Sequence, residues 1–489
     1  MNTHGSLPRR TASAVLGATS LIAVLLTGCA VGPNPRTPAV TLPDRYHSVE
    51  TNNPAPPEAP SSKDTPALAQ WWKLFGDPQL EELITRALSS NLDLRLAESR
   101  VREARALRAI ARAPLFPGLD ADGSLSRSRL SENSPNGQLL SGTGRSLELD
   151  SFNAGLSMNW EIDVFGGRRR ASQAAKADLE AQAEHREGIR LALLAEVGVT
   201  YLDLRGFQNE RAVALETLRI QEETLALTRD RVRAGLTSDL DTTRAEAQVA
   251  RTRAGIPPLE ESLQRTVHRL GILLGRPPAE LEPELTSPRA LPRVPAELPG
   301  GLPSDLLRRR PDIRRAEREL AAATARIGVA TADLFPKFQL TGTAGLQSLD
   351  AGDFFAPESR LWSIGPSVRW PIFSAGRIRQ QIRAANEREE QAAIRYEQTI
   401  LTSLEEVENS LVAVLREQDR IRALADSESA GRRAAALANE RYRGGLVDFL
   451  AVLDAERVLL EARLSLAESE RNAAKKWVQL FRALGGGWG

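Results

Sequence analysis

Few residues of this 489-residue chain have the types and spacing that chemistry requires. The four histidines, His4, His47, His185 and His268, lie far apart and none has the spacing of a metal-ligand set. Ser, Asp and Glu residues show no nucleophile–base spacing. Gly485-Gly486-Gly487 is followed by nothing that would cradle a phosphate. Arg168-Arg169-Arg170 and Arg308-Arg309-Arg310 read as charge runs at helix starts or on solvated faces. The chain therefore reads as a non-enzyme. One set does align: Leu450, Asp454 and Arg457 fall at i, i+4 and i+7 on a single helical face. Taken alone, that is a surface ion pair worth about a few tenths of a kcal/mol.

The single cysteine is informative by its position. Arg9-Arg10 precedes an apolar run from Ala12 to Leu26. The run is too short for a comfortable membrane span, and a basic start with a short apolar core reads as an export signal. It ends in Leu26-Thr27-Gly28-Cys29, which resembles the lipobox of bacterial lipoproteins. That resemblance implies that residues 1–28 are a lipoprotein signal peptide and that Cys29 becomes the lipidated first residue. Ala30, rather than Asp, implies passage to the outer membrane. A lipidated residue anchors a chain to a membrane without spanning it. No other cofactor is expected, and a net charge of +1 gives no basic field for nucleic acid.

The elements that must position these residues are long helices, as abundant Ala, Leu, Arg and Glu with 5% aromatics suggest. Residues 29–66 read as a Pro-rich tether. A helical pattern runs from Gln79 to Ala113 and stops at Pro114 and Pro117. Gly118–Arg129 and Phe152–Ile162 alternate weakly at period two, joined by a Ser/Gly/Asn-rich loop. Helical pattern then resumes to Arg233, on the order of 100 Å if unbroken, with apolar positions that call for partner helices. Ala234-Gly235-Leu236 turns the chain, and a second helix runs towards Gly275 with Pro257-Pro258 as an internal break. Residues 276–303 form a Pro-rich connector.

From Leu306 the same events recur. Asn91–Glu98 matches Arg310–Glu317, and Pro114-Leu115-Phe116-Pro117 matches Asp333-Leu334-Phe335-Pro336. Asn159-Trp160-Glu161-Ile162 matches Arg369-Trp370-Pro371-Ile372, and Arg231–Leu236 matches Arg441–Leu446. The offset stays between 210 and 219 residues, so the chain is a tandem duplication, residues 67–275 and 304–489. Each copy brings a strand pair, about 118–162 and 337–372, and a helical hairpin with its tip near 235 or 445. In the second pair, Phe338, Leu340, Gly342, Ala344 and Leu346 alternate with Lys337, Gln339, Thr341, Thr343 and Gln347. One apolar and one polar face suits either a membrane β-barrel or a soluble sheet packed on helices. Four strands cannot close a barrel, and an open edge cannot sit in hydrocarbon. A barrel would need two copies or three, and the pattern does not choose.

At these residues the chain resembles the outer-membrane efflux proteins of the TolC/OprM type, and within them the lipoprotein factors of tripartite RND pumps. The most specific pieces are Trp71–Pro78, Trp160–Arg168, Gly301–Ile313 and Ala483–Trp488. The resemblance implies a mainly α fold with β: a trimeric twelve-stranded transmembrane β-barrel continuous with a long periplasmic α-helical barrel, each protomer a tandem repeat. It implies a homotrimer working with a periplasmic membrane-fusion adaptor and an inner-membrane RND transporter, as a passive gated duct for drugs or other solutes. Its implied adaptor contacts are Gly235, Leu236, Gly445 and Leu446, which by sequence alone are only turn residues. Its implied periplasmic gate is Leu450 and Asp454, with Arg457 and Tyr442 bonded around them. The first copy has Leu240, Arg244 and Ala247 instead, so the second hairpin is expected to carry the gate. A channel for type I protein secretion and a periplasmic coiled-coil scaffold are the alternative readings.

Overall fold

The computed structural model describes residues 30–44, 46–47, 68–143, 146–295, 305, 307 and 309–487. The export signal, Cys29, Arg308 and Trp488 lie outside these residues, as do residues 48–67 and 301–304. In chain order the helices and strands are α1 (Pro78–Ser90), α2 (Leu92–Arg112), β1 (Gly118–Arg129), α3 (Pro135–Gly142), β2 (Glu148–Ile162) and α4 (Gly167–Arg233). There follow α5 (Asp239–Ala254), α6 (Ile256–Leu273), α7 (Pro311–Ala332), β3 (Lys337–Ser348), β4 (Arg360–Arg369), α8 (Arg377–Arg443) and α9 (Phe449–Ala483). The duplication is plain in α4 and α8, each an unbroken helix of 67 residues. Two compact units interleave the copies. The first takes Arg102–Ala181, Ala316–Tyr396 and the described part of Met1–Pro38. The second takes Ala39–Val101, Gln182–Arg315 and Glu397–Gly489.

The first unit contains one antiparallel sheet in the order β1-β2-β3-β4. Because side chains alternate across the pleat, the register sorts residues into rows. Ala121, Leu156, Ala344 and Trp362 form one row, and Leu119, Met158, Gly342 and Ile364 the next on the same face. Asp120, Ser157, Thr343 and Ser363 form a row on the other face. There Ser157 donates to Asp122 at 2.8 Å, and the Thr343 and Ser363 hydroxyls meet at 2.7 Å. The apolar face is bare: Trp362 is 79% exposed and Leu119 66%. Gly155 faces Gly345 across the β2–β3 ladder, where a Cβ on Gly345 would stand 2.5 Å from the Ala154 carbonyl oxygen. The outer edges of β1 and β4 have no partner strand among the described residues.

Strand β2 begins at Glu148, four residues before the alternation suggested. Arg127 pairs with Glu148 at 2.9 Å and lies 3.7 Å from Asp150, so charges rather than apolar residues hold that end of the ladder. The expected loop between the strands contains α3, capped by Ser134, which accepts from Gly137 N. At the opposite end the two copies repeat one contact. Trp160 Nε1 donates to the Leu115 carbonyl at 3.2 Å, and Trp370 Nε1 to that of Leu334 at 3.0 Å. Phe165 stacks on Phe335 at 4.5 Å, while Ile372 and Phe373 stand exposed nearby in sequence. Trp and Phe thus collect at one end of the apolar sheet face, the composition expected of an aromatic girdle.

The second unit is organised around Trp71, which is fully buried. It stacks on Phe481 at 5.6 Å, meets Trp72 and Phe75 edge-on, and lies where a Cβ on Gly198 would be 2.7 Å from its ring. Three of the four motif stretches converge here through their described residues. Gly487 N donates to the Leu68 carbonyl at 2.9 Å, and Arg310 donates to Ala483 O at 2.9 Å and to Asp312 and Glu406, both at 2.7 Å.

Several expectations need correction. The helix expected from Gln79 to Ala113 is two helices, parted at Asn91, whose side chain accepts from Leu94 N and donates to Leu273 O, both at 2.9 Å. Arg310, the matching residue of the second copy, stands before α7 in the same way. The break assigned to Pro257-Pro258 falls at Gly255, and the prolines sit in the first turn of α6, where a missing N–H costs nothing. The connector packs down through Leu281 and Leu285, both buried. The arginine runs are not simply solvated: Arg170 is 3% exposed and Arg310 7%. The 29–66 stretch is docked rather than free where it is described. Thr37 donates to Glu317 at 2.8 Å in the first unit, and His47 N donates to Glu408 at 2.7 Å in the second. Truncating Trp71 to Ala removes the centre of the second unit and should cost about 3–5 kcal/mol. A drop in the midpoint of thermal unfolding followed by circular dichroism, with no change for an exposed control such as Leu139→Ala, checks this.

Candidate functional site

The two hairpin tips lie in the second unit and are built alike. Helix α4 ends with Gly235 at φ 74, where Gly235 N donates to Val232 O and Leu236 N to Arg231 O, both at 2.9 Å. Helix α8 ends with Gly445 at φ 72, and Leu446 N donates to Arg441 O at 2.9 Å. This paired 6→1 and 5→2 closure needs a left-handed residue, which glycine supplies without strain. The next helices start on matched caps, Ser238 accepting from Leu240 N and Asp448 from Ala451 N. Each tip leaves one leucine in solvent, Leu236 at 67% and Leu446 at 76% exposure.

Beneath the tips Leu225, Ala245, Val249, Tyr442, Phe449 and Val452 form one apolar cluster that ties the hairpins together. Arg231 clamps it, lying 4.7 Å over the Tyr442 ring and donating to the carbonyls of Tyr442 and Arg443, both at 3.2 Å. Sequence reasoning missed this arginine because its partners are backbone atoms of the other copy.

On the outer face of α9 the structure brings together three of the four expected gate residues. Arg457 donates to Asp454 at 2.8 Å and lies 3.5 Å from Glu461. Leu450 is half exposed one turn before Asp454. Tyr442 is the exception. It is buried in the cluster, tilted against Phe449 at 5.3 Å, and its hydroxyl has no hydrogen-bond partner among the described residues. Within a protomer it packs in the apolar cluster and makes no bond to Leu450, Asp454 or Arg457 among the described residues. In the first copy Leu240 is similarly exposed, while Arg244 reaches only Asp241, at 3.9 Å. The two tips thus share a backbone and differ in the charge they display.

One further residue emerges from comparing the copies. In the first, Arg229 pairs with Glu246 at 2.7 Å on the surface. The matching positions of the second are Asn439 and Glu456. Glu456 is only 6% exposed, and its carboxylate accepts from Asn439 at 3.2 Å and Thr224 at 3.4 Å. Burial pushes its pKa up, and the two neutral donors only partly offset that. The loss of the arginine at Asn439 was the sequence signal available.

Nothing in this geometry forms a catalytic constellation, and no group of metal-binding residues occurs among the described residues. No described helix is long and apolar enough to cross a membrane. The model of the family "Outer membrane efflux protein" matches residues 83–276 and 302–486, one match to each copy. The chain belongs to the outer membrane efflux protein family. Toluene efflux pump outer membrane protein TtgC of Pseudomonas putida is 34% identical over 472 residues, covering 96% of this chain and 95% of that one. Nodulation protein T of Rhizobium leguminosarum bv. trifolii is 32% identical over 474 residues, covering 96% and 97%. The solved outer-membrane channel OprN superposes with a TM-score of 0.86 at 38% identity, covering 94% of this chain and all of that one. The fold is that of a TolC-like outer-membrane channel, and the protein is an efflux channel of the outer membrane rather than a member of an enzyme family.

The buried Glu456 yields a pH prediction. Its folded pKa lies above its unfolded value, so folding is favoured most below the ordinary carboxylate range. The unfolded chain releases the proton first as pH rises, and stability falls until the folded pKa is passed. Glu456→Gln should remove this component, giving a variant less sensitive than wild type to a rise from pH 4 to pH 8 and more stable at the upper end. Thermal midpoints measured across that range on both proteins check it; parallel curves would contradict the assignment.

Proposed function

We propose that three copies of the chain assemble into a twelve-stranded barrel, lipid-anchored through Cys29, that forms the outer-membrane duct of a tripartite pump. The observation that carries this reading is the four-stranded sheet with one bare apolar face and two edges unpaired among the described residues. Its strands, 10 to 15 residues long, are sufficient for a tilted membrane strand of about 9–11 residues. Lipid satisfies the apolar face, but only another copy satisfies the edges. Threefold symmetry then repeats the α9 face about an axis, bringing three Asp454 carboxylates and three Leu450 side chains together as a resting constriction for hydrated solutes.

The exposed leucines and glycine turns at Gly235, Leu236, Gly445 and Leu446 are the contacts offered to a periplasmic membrane-fusion adaptor, and an inner-membrane RND transporter supplies the energy. Relatives named for toluene efflux and for nodulation align at nearly equal identity over nearly the whole chain. A duct shared by such different systems supports selection of the solute by the inner-membrane partner. Reconstituted in planar bilayers, the wild type should conduct weakly at rest, and the double variant Leu450→Ala with Asp454→Ala should raise the conductance about twofold or more. Unchanged conductance refutes the gate assignment; absence of any channel refutes the duct itself.

A further inference from the structure

The buried Arg170 has no role in the sheet, the tips or the gate. Its side chain leaves the first turn of α4 and donates from Nε to Val31 O and from Nη2 to Gly32 O and Asn34 Oδ1, all at 3.0 Å. The fourth donor holds Gln173 Oε1 of its own helix at 3.0 Å, which fixes the guanidinium. The N-terminal segment answers with its backbone: Val31 N donates to Phe165 O at 3.0 Å. Three glycines make room. A Cβ on Gly32, which sits at φ 86, would stand 2.5 Å from Gly328 Cα; one on Gly166 would stand 2.6 Å from Ala30; one on Gly328 would stand 2.7 Å from Arg170 Cγ.

Such a seat is too specific for a loose tether. A buried cation with a planar fork is suited to gripping carbonyl oxygens from two successive peptides. A free Gly- and Pro-containing segment of the same length would leave its end wandering over tens of ångströms, on the order of 5–6 Å × √n. Here Ala30 rests on Gly166, four residues past the end of β2.

We propose that Arg170, with Gly166 and Gly328, forms a docking site for the mature N-terminal segment and acts as a positioning clamp. It holds Ala30 and Val31, the residues that follow the acylation position, against Gly166 and Phe165 beyond the end of β2. This rests on the reading that Cys29 is lipidated. The clamp makes insertion of the sheet an intramolecular event at high effective concentration once the lipid is in the bilayer.

The test uses the full-length purified protein and trypsin, which cuts after Arg36, two residues beyond the clamp. Cleavage follows the fraction of time that the segment is undocked. Arg170→Ala should speed release of the new N-terminus at Thr37 about tenfold or more, since three hydrogen bonds are lost. Gly32→Ala, which touches only the segment, should do the same with helix content unchanged by circular dichroism. Cys29→Ser should cut at the wild-type rate. Wild-type rates for Arg170→Ala and Gly32→Ala overturn the proposal. Fast cleavage of Cys29→Ser also overturns it, because the lipid would then be what holds the segment. Labelling with an alkyne palmitate that persists in Cys29→Ser refutes the lipid reading alone and leaves the cleavage result to judge the clamp.

Discussion

Two strand edges left unpaired among the described residues set the terms for the rest of the molecule. Each carries backbone N–H and C=O groups that cost several kcal/mol apiece in hydrocarbon, of the order seen for unsatisfied polar groups. The bare apolar face beside them has no stable place in water either. On the proposed reading, membrane and neighbouring copies finish the sheet together. The contacts of Trp160 and Trp370, repeated in both copies to the carbonyl at the head of each strand pair, fix where the helices leave that sheet.

Duplication supplies the helices, and divergence supplies their function. The tips keep one turn geometry, down to matched left-handed glycines and matched caps. Side chains on the two hairpins then part ways. The surface pair Arg229–Glu246 becomes the buried Asn439–Glu456, and Arg244 gives way to Asp454. A buried carboxylate without its cation, a Tyr442 hydroxyl without a partner among the described residues and an Arg231 clamp made to two backbone oxygens and the Tyr442 ring all lie where the hairpins meet. Polar groups so placed make that seam cheaper to open than an apolar one.

The alternation of Lys337–Gln347, the Gly turns and the repeat were legible because each follows from periodicity or from a conformation that few residues adopt. The split at Asn91 was not, since a buried asparagine signals a cap only when the carbonyl it reaches, Leu273 O, is known. Arg170 and Arg310 were read as charges at helix starts or on solvated faces; they do lie at helix starts, and their burial went unseen for a similar reason. Their partners are backbone oxygens far away in sequence, and no spacing rule finds those. Tyr442 was placed in the gate by resemblance, and the protomer buries it in the apolar cluster. Glu456 was hidden among the helix-surface carboxylates and is singled out only by what its copy has lost.

The central claim is that copies of this chain complete the sheet in threes. Native mass spectrometry of the detergent-extracted protein, taken from the same fraction that conducts in planar bilayers, addresses it directly. The account predicts one dominant species of three chains, with no conducting monomer. A conducting species of two chains, which would close an eight-stranded barrel, or of a single chain would contradict it.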